Sequence, residues 1–249
     1  MNLIAALLAC STLLASPGEI RVYAAASLSR VFAADSTAVG STPVVFNFAG
    51  SQQLALQLAQ GAKADVFASA DERWMADAEK NGLLGGPARV FARNSLIVIT
   101  PLADPGKISG LESLKNKGLK IVLAADAVPA GRYAREALAN LEKNGFGAGY
   151  KDAVLANVVS QEENVEAVVS KVLLGEADAG IVYVSDTLGD RRAKLRTIEI
   201  PPASNATARY VAAVLKSAPN PSGAQAFLDW LVSGGGHTLL LEKGFLAPE

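Results

Sequence analysis

The segment VVFNFAGSQQLALQL, residues 44–58, constrains the fold most, because its pattern changes from strand to helix at a single serine. The apolar run 44–48 predicts a buried strand, a short turn follows, and Ser51 begins a helix. The segment VYAAASLSRVF, residues 22–32, repeats this order with Ser27 at the junction. A helix N-terminus carries unpaired N–H groups and partial positive charge. Two such junctions therefore predict an anion site that needs no lysine or arginine.

Strand and helix patterns alternate along the rest of the chain. In the clearest helix, apolar residues recur at i, i+3, i+4, i+7 and i+8 from Val165 to Leu173. The run Val154–Val159 predicts one of the strands. This alternation is typical of an α/β fold, in which mostly parallel sheets are flanked by helices.

The chain is long enough for one large domain or for two smaller α/β lobes. Two extended runs, around 93–101 and 205–216, are suited to carrying the chain between lobes twice. The predicted division is a discontinuous lobe one, residues 17–98 with 208–249, and a lobe two of residues 99–207. A cleft between hinged lobes suits capture of a ligand by closure.

The first 16 residues, MNLIAALLACSTLLAS, have the composition of a signal segment, although the usual basic residue near the start is missing. Cys10 follows Leu-Leu-Ala, so it is either a lipidated first residue or a small apolar residue of the signal. It is the only cysteine, which leaves the mature chain without disulfides. Export without disulfides predicts a bacterial periplasmic protein.

The charge pattern and the sparse reactive residues exclude several classes of function. The net charge of −1 gives no basic surface for nucleic acid. The single histidine, His237, has no metal-ligand cluster or catalytic partner near it, and G-x-S-x-G is absent. A serine hydrolase is therefore disfavoured, and the sensor domain of a transcription regulator is disfavoured by the exported N-terminus. The sequence predicts a binding protein without enzymatic activity.

Five segments resemble, in order and spacing, the periplasmic molybdate-binding protein family of bacterial ABC importers. They are AAASL (24–28), FAGS (48–51), ADVFASADERWM (64–75), VPAGRYAREAL (128–138) and GEADAGIVYVSD (175–186). The resemblance extends from about residue 20 to the C-terminus. It implies a two-lobed periplasmic binding protein that captures molybdate or tungstate and delivers it to a membrane permease. It implies a monomer without a cofactor, and the alternative ligand is sulfate or another tetrahedral oxyanion.

The resemblance also implies the ligand contacts: the hydroxyls of Ser27, Ser51 and Tyr183, and the backbone N–H groups of Ala130 and Val165. These groups would bind the oxygens of the anion, not the metal atom itself. All five are uncharged donors, which suits a fully ionised oxyanion because such an anion offers only acceptors.

Each predicted contact also has a purely structural interpretation. Ser27 and Ser51 are good helix caps, although neither would have Glu or Gln three residues later. Ala130 follows a proline and would stand at an ordinary helix entry. Tyr183 would be a core tyrosine bonded to a carbonyl.

The helix near Val165 has two possible starts. Ser160 to Glu163 has the pattern of a capping box, which would begin the helix earlier and use the Val165 N–H inside it. Alternatively, Asn164 is the cap and the Val165 N–H is free, as the resemblance implies. Glu162 and Glu163 would repel an anion, so we expect both to point away from it.

Arg132 and Tyr133 follow Ala130 closely and are expected to be helix-surface groups. A charged arginine is not expected in a site that binds its anion through uncharged donors. Asp71 and Trp74 are expected to support the fold or a contact between lobes.

Overall fold

A computed structural model of the chain describes residues 18–32 and 38–248. The predicted signal segment 1–16, with Cys10, lies outside these residues. Strands in the described part are β1 (Ile20–Ala25), β2 (Ala38–Val39), β3 (Thr42–Ala49), β4 (Val66–Ser69), β5 (Arg89–Pro101), β6 (Ile121–Ala124), β7 (Val158–Glu162), β8 (Ala179–Tyr183), β9 (Leu195–Glu199) and β10 (Thr207–Val214). The helices are α1 (Ser29–Phe32), α2 (Ser51–Ala59), α3 (Glu72–Lys80), α4 (Pro129–Leu141), α5 (Tyr150–Leu155), α6 (Val165–Leu173), α7 (Pro221–Ser233) and α8 (Gly235–Glu242).

The strands form two sheets that share β5. The first has the order β2-β3-β1-β4-β10-β5, and the second continues from β5 through β8 and β6 to β7, with β9 also paired to β5. β3, β1 and β4 are parallel to one another, as are β8, β6 and β7. Antiparallel pairs occur where β10, β5, β8 and β9 meet. This arrangement confirms the predicted α/β fold with parallel sheets and flanking helices.

β5 connects the sheets because its two halves have different partners. Arg89–Ser95 pairs with β10, whereas Leu96–Pro101 pairs with β8 and β9. The predicted crossing run 93–101 spans this change of partner. The second predicted run, 205–216, contains β10, which lies beside β5. Most buried apolar residues of both sheets form one large cluster, and a smaller cluster lies where α2 and α3 pack on β4 and β10.

The strand prediction for Val154–Val159 is wrong in its first half, since Tyr150–Leu155 is α5 and β7 begins only at Val158. Gly149 adopts a left-handed conformation and starts this short helix. Tyr150 is then buried, and its hydroxyl donates to the Leu111 carbonyl at 2.6 Å. This tertiary contact outweighs the β propensity of the valines.

No helix in the described residues is long and apolar enough to cross a membrane.

Candidate anion-binding site

Four helical starts meet at one cavity between the two sheets. The 3₁₀ turn Ala26–Leu28 follows β1, α2 follows β3, α4 follows β6, and α6 follows β7. The carboxyl ends of parallel strands meet at one edge of a sheet, which brings these starts together. The cavity is small, with a volume of about 10 Å³, and it is partly open to solvent. It is lined by Ala25, Ala26, Ser27, Gly50, Ser51, Ala70, Val128, Pro129, Ala130, Asn164, Val165 and Tyr183, which include all five predicted contacts.

Neither predicted serine caps a helix. Ser51 is the first residue of α2, behind Gly50 as N-cap, and its hydroxyl accepts the Ala70 N–H at 3.0 Å. Gln53 is thus three residues beyond the cap, and its side-chain oxygen accepts the Gly50 N–H at 3.2 Å. Ser27 lies within its 3₁₀ turn and bonds to the Tyr210 hydroxyl at 2.8 Å. The capping interpretation is therefore wrong for both residues.

Ala130 is the second residue of α4, after Pro129, and no side chain caps this helix. Its N–H therefore has no acceptor within the helix. Gly131 allows α4 to start very close to the end of β6. Arg135 also holds this start, because one guanidinium nitrogen donates to the carbonyls of Ala124 and Gly131 at 3.0 and 2.8 Å.

Helix α6 begins at Val165, and Asn164 is its N-cap, accepting the Ala167 N–H at 3.0 Å. The alternative start at Ser160 is wrong, because that residue lies in β7. The Val165 N–H is left without an intrahelical acceptor. Neither Glu162 nor Glu163 lines the cavity. Glu162 pairs with Lys171 at 2.7 Å, so its charge is compensated elsewhere.

Tyr183 ends β8 and is buried, and its hydroxyl has no hydrogen-bond partner among the described residues. The structural interpretation required a bond from this hydroxyl to a carbonyl, so it is wrong. Burial raises the pKa of Tyr183 well above its ordinary value, and the nearby Tyr210 raises it further. The phenol thus remains a donor. A side-chain oxygen of Asp186 accepts the Tyr183 N–H at 2.9 Å and fixes the end of β8.

The residues that line the cavity include no Asp, Glu, Lys or Arg. Their polar side chains are those of Ser27, Ser51, Asn164 and Tyr183, and the Asn164 oxygen is occupied by its own helix cap. The cavity therefore presents hydroxyl and amide donors and the positive ends of helices. This set can bind an anion without an ion pair.

Contacts beside the cavity join the two sides of the cleft. The amides of Gln52 and Gln53 donate to the Glu163 carbonyl at 2.8 Å and the Glu163 carboxylate at 3.0 Å. The Trp74 indole donates to the Ala127 carbonyl at 2.8 Å. Together these bonds join the segments on the two sides of the cavity.

Asp71, Trp74 and Arg132 occupy the same rim. Buried Asp71 caps α3 through the Trp74 N–H at 3.0 Å and pairs with Arg132 at 3.2 Å, so Asp71 and Trp74 support both fold and cleft. The expectation of a surface position is wrong for Tyr133, whereas the Arg132 side chain remains 31% exposed, and neither residue lines the cavity. Tyr133 is buried, and the Arg132 guanidinium lies 4.1 Å from the centre of its ring. The ion pair with Asp71 and the stacking on Tyr133 hold Arg132 between the two sides of the cleft.

His237 lies in α8 and does not line the cavity. No group of His, Cys, Asp and Glu in the described residues is arranged to hold a metal ion.

Sequence reasoning missed Tyr210 and Ala70, the groups that bond to Ser27 and Ser51. Tyr210 is 183 positions from Ser27, and Ala70 acts through a backbone N–H that any residue except proline carries. No local sequence signal marks either residue.

Two sheets that share a strand, with a cavity of neutral donors between them, are the architecture of a solute-binding protein. The chain belongs to the family of bacterial extracellular solute-binding proteins, whose family model matches residues 20–246. The molybdate-binding protein ModA of Mycobacterium tuberculosis is 37% identical over 240 residues, which cover 92% of this chain and 85% of that protein.

Two solved structures show the same fold. The periplasmic molybdate-binding protein of Azotobacter vinelandii matches with a TM-score of 0.80 and 21% identity, covering 93% of this chain and all of that one (100%). The sulfate-binding protein SubI of M. tuberculosis matches with a TM-score of 0.77 and 16% identity, covering 92% and 86% of the two chains. At these identities the likeness concerns the fold alone.

Proposed function

We propose that this protein binds molybdate in the cavity between its two sheets. The observation that carries the proposal is the set of uncharged donors around one cavity: the hydroxyls of Ser27, Ser51 and Tyr183 with the N–H groups of Ala130 and Val165. A molybdate dianion offers only acceptors, so it complements this set. The similarity to ModA of M. tuberculosis over most of both chains supports the same ligand.

The donor set is sufficient for strong binding. A hydrogen bond to a charged group contributes about 1.5–3 kcal/mol. Five such bonds would contribute about 7.5–15 kcal/mol. In the upper part of that range, the costs of desolvation and closure would leave about 8–11 kcal/mol, which corresponds to micromolar to nanomolar affinity. Exclusion of water from the closed cleft strengthens each bond, since the local dielectric constant is lower.

The proposed role is capture for import. Residues 17–98 with 208–249 would form one lobe and residues 99–207 the other, and the anion would close them together. The closed monomer would deliver molybdate to an ABC permease from the periplasm, with the protein either free or anchored through a lipidated Cys10. Tungstate, which has nearly the same size and charge, would bind comparably. No cofactor is part of this proposal.

Sulfate is the second candidate, because the same uncharged donors would accept it and because SubI, a sulfate-binding protein, has the same fold. Only the size of the closed cavity would discriminate between the two dianions.

Isothermal titration calorimetry of the exported protein with molybdate, tungstate, sulfate and phosphate tests the proposal. We expect tight binding of molybdate and tungstate, weak binding of sulfate, and none of hydrogen phosphate, whose proton finds no acceptor. Equal affinity for sulfate and molybdate would contradict the molybdate assignment. Absence of binding to all four anions would overturn the oxyanion proposal.

A further inference from the structure

Tyr210 is a buried tyrosine of β10 whose hydroxyl lies 2.8 Å from the Ser27 hydroxyl. Its ring packs edge-on against Phe245, Tyr183 and Phe91, with ring centres 5.2, 5.8 and 5.9 Å apart. A ring enclosed in this way has a single orientation. The phenol oxygen is therefore a fixed point against which the Ser27 hydroxyl is placed.

Ser51 shows what such a partner does. A serine hydroxyl has one proton to donate and two lone pairs to accept. The Ala70 N–H occupies a lone pair of Ser51 at 3.0 Å, and an N–H can only donate. The Ser51 proton is then free for a ligand in the cavity.

The Ser27–Tyr210 pair differs, because either oxygen can be the donor. If Ser27 donated to Tyr210, its lone pairs would face the anion and repel it. If Tyr210 donates, the Ser27 proton points into the cavity, as at Ser51. Consecutive donation from phenol to serine to anion also strengthens each bond by polarisation.

We propose that Tyr210 is a positioning residue that donates its proton to Ser27 and thereby makes the Ser27 hydroxyl a donor to the bound oxyanion. This inference rests on the proposed function. The phenol keeps its proton under binding conditions, since burial, with the nearby Asp186, raises the pKa of Tyr210 well above its ordinary value. Tyr210 does not line the cavity, and its hydrogen bond to Ser27 is the route by which it would act on the anion.

A double-mutant cycle tests this, with molybdate affinity measured by calorimetry for the wild type, Tyr210→Phe, Ser27→Ala and the double variant. We expect Tyr210→Phe to weaken molybdate binding about two- to tenfold when Ser27 is present, which is the effect of losing one neutral hydrogen bond. In the Ser27→Ala background it should change affinity less than about twofold, because the coupled group is gone. An equal effect in both backgrounds would overturn the inference, since Tyr210 would then act on the structure generally.

Tyr150→Phe is the matched control. It removes another buried tyrosine hydroxyl, which donates to the Leu111 carbonyl at 2.6 Å and does not line the cavity. We expect unchanged molybdate affinity in this variant. A loss as large as that of Tyr210→Phe would also contradict the inference.

Anion selectivity gives a second readout that general structural damage would not move. Without the Tyr210 hydroxyl, Ser27 can turn and accept a proton, so binding of hydrogen phosphate, absent in the wild type, should become measurable. If Tyr210→Phe folds poorly, replacement of all tyrosines by 3-fluorotyrosine strengthens phenol donation instead. The gain in molybdate affinity should then be larger in the wild type than in Ser27→Ala, and equal gains would overturn the inference.

Failure of the wild type to bind molybdate would refute the proposed function, whereas tight wild-type binding with an unaffected Tyr210→Phe would refute this inference alone.

Discussion

Gly131→Ala tests most directly whether the close packing of α4 places the Ala130 N–H. A Cβ atom at Gly131 would lie 2.1 Å from the Ala125 carbonyl oxygen and 2.3 Å from that of Ala124. Both are backbone atoms at the end of β6, so no side chain can rotate to make room. Ordinary contact begins at 3.4 Å, so a gap of 3.4 − 2.1 = 1.3 Å has to open between helix and strand.

This displacement has two separable costs. Overpacking of this kind destabilises a fold by about 1–3 kcal/mol, and a clash with two carbonyl oxygens belongs at the upper end. The Ala130 N–H moves with the helix, and a hydrogen bond lengthened by about 1 Å is lost. Loss of one bond to the anion removes about 1.5–3 kcal/mol, or about ten- to 150-fold in affinity.

Urea unfolding of the ligand-free protein measures the first cost, and calorimetry with molybdate measures the second. Gly86→Ala is the control, because a Cβ there meets nothing within 4 Å and its backbone angle is not in the left-handed region. It should leave both quantities nearly unchanged. If Gly131→Ala bound molybdate with wild-type affinity, Ala130 would not be a contact or α4 would not be held by this packing.

Three further substitutions probe other parts of the site. Tyr183→Phe should weaken molybdate binding by about 1.5–3 kcal/mol in calorimetry. It should not lower the stability of the ligand-free protein in urea unfolding, because the Tyr183 hydroxyl has no hydrogen bond to lose. Tyr150→Phe should lower that stability and leave molybdate affinity unchanged. Gly50→Ala places a Cβ 2.5 Å from the Glu163 carbonyl oxygen across the cleft, so calorimetry should show affinity about five- to 150-fold lower, and X-ray scattering a more open form. Burial and the nearby Glu166 raise the pKa of Asp186 well above its ordinary value. The unfolded chain therefore loses the Asp186 proton at a lower pH than the folded protein does. As pH rises from about 3.9 toward the raised pKa, the wild type should lose stability relative to Asp186→Asn. Urea unfolding across this pH range checks the slope, and parallel profiles would refute the assignment of a buried neutral carboxyl.

The sequence predicted the fold and the convergence of its helix starts because both follow from local patterns. The strand–serine–helix order at Ser27 and Ser51 locates two starts directly. Parallel strands then bring such starts to one sheet edge without further information. The roles predicted for Ala130, Val165 and Tyr183 came from resemblance to a family, since a backbone N–H or one strand tyrosine carries no chemical pattern of its own.

Contacts between distant segments were beyond local reasoning. Val154 was assigned to a strand from its β-branched neighbours, yet burial of Tyr150 against Leu111 makes that segment a helix. Tyr133 was assigned to the surface, yet it is buried, and its hydroxyl accepts the N–H of Arg209, which is 76 positions away. In each case the deciding energy is tertiary, so it depends on which elements the fold brings together.

Nearby cations do not explain how this cavity would hold a dianion. Arg132 is paired with Asp71, and Arg191 is paired with Glu166 at 2.6 Å, so these charges are compensated before any anion enters. Attraction must then come from hydroxyl and amide dipoles, whose effect depends on direction as well as distance. A cationic site tolerates small shifts, whereas a dipolar site loses its affinity when a hydroxyl turns or a helix start moves. This sensitivity explains why affinity should depend on supporting groups such as Gly131 and Tyr210 as well as on the donors they place.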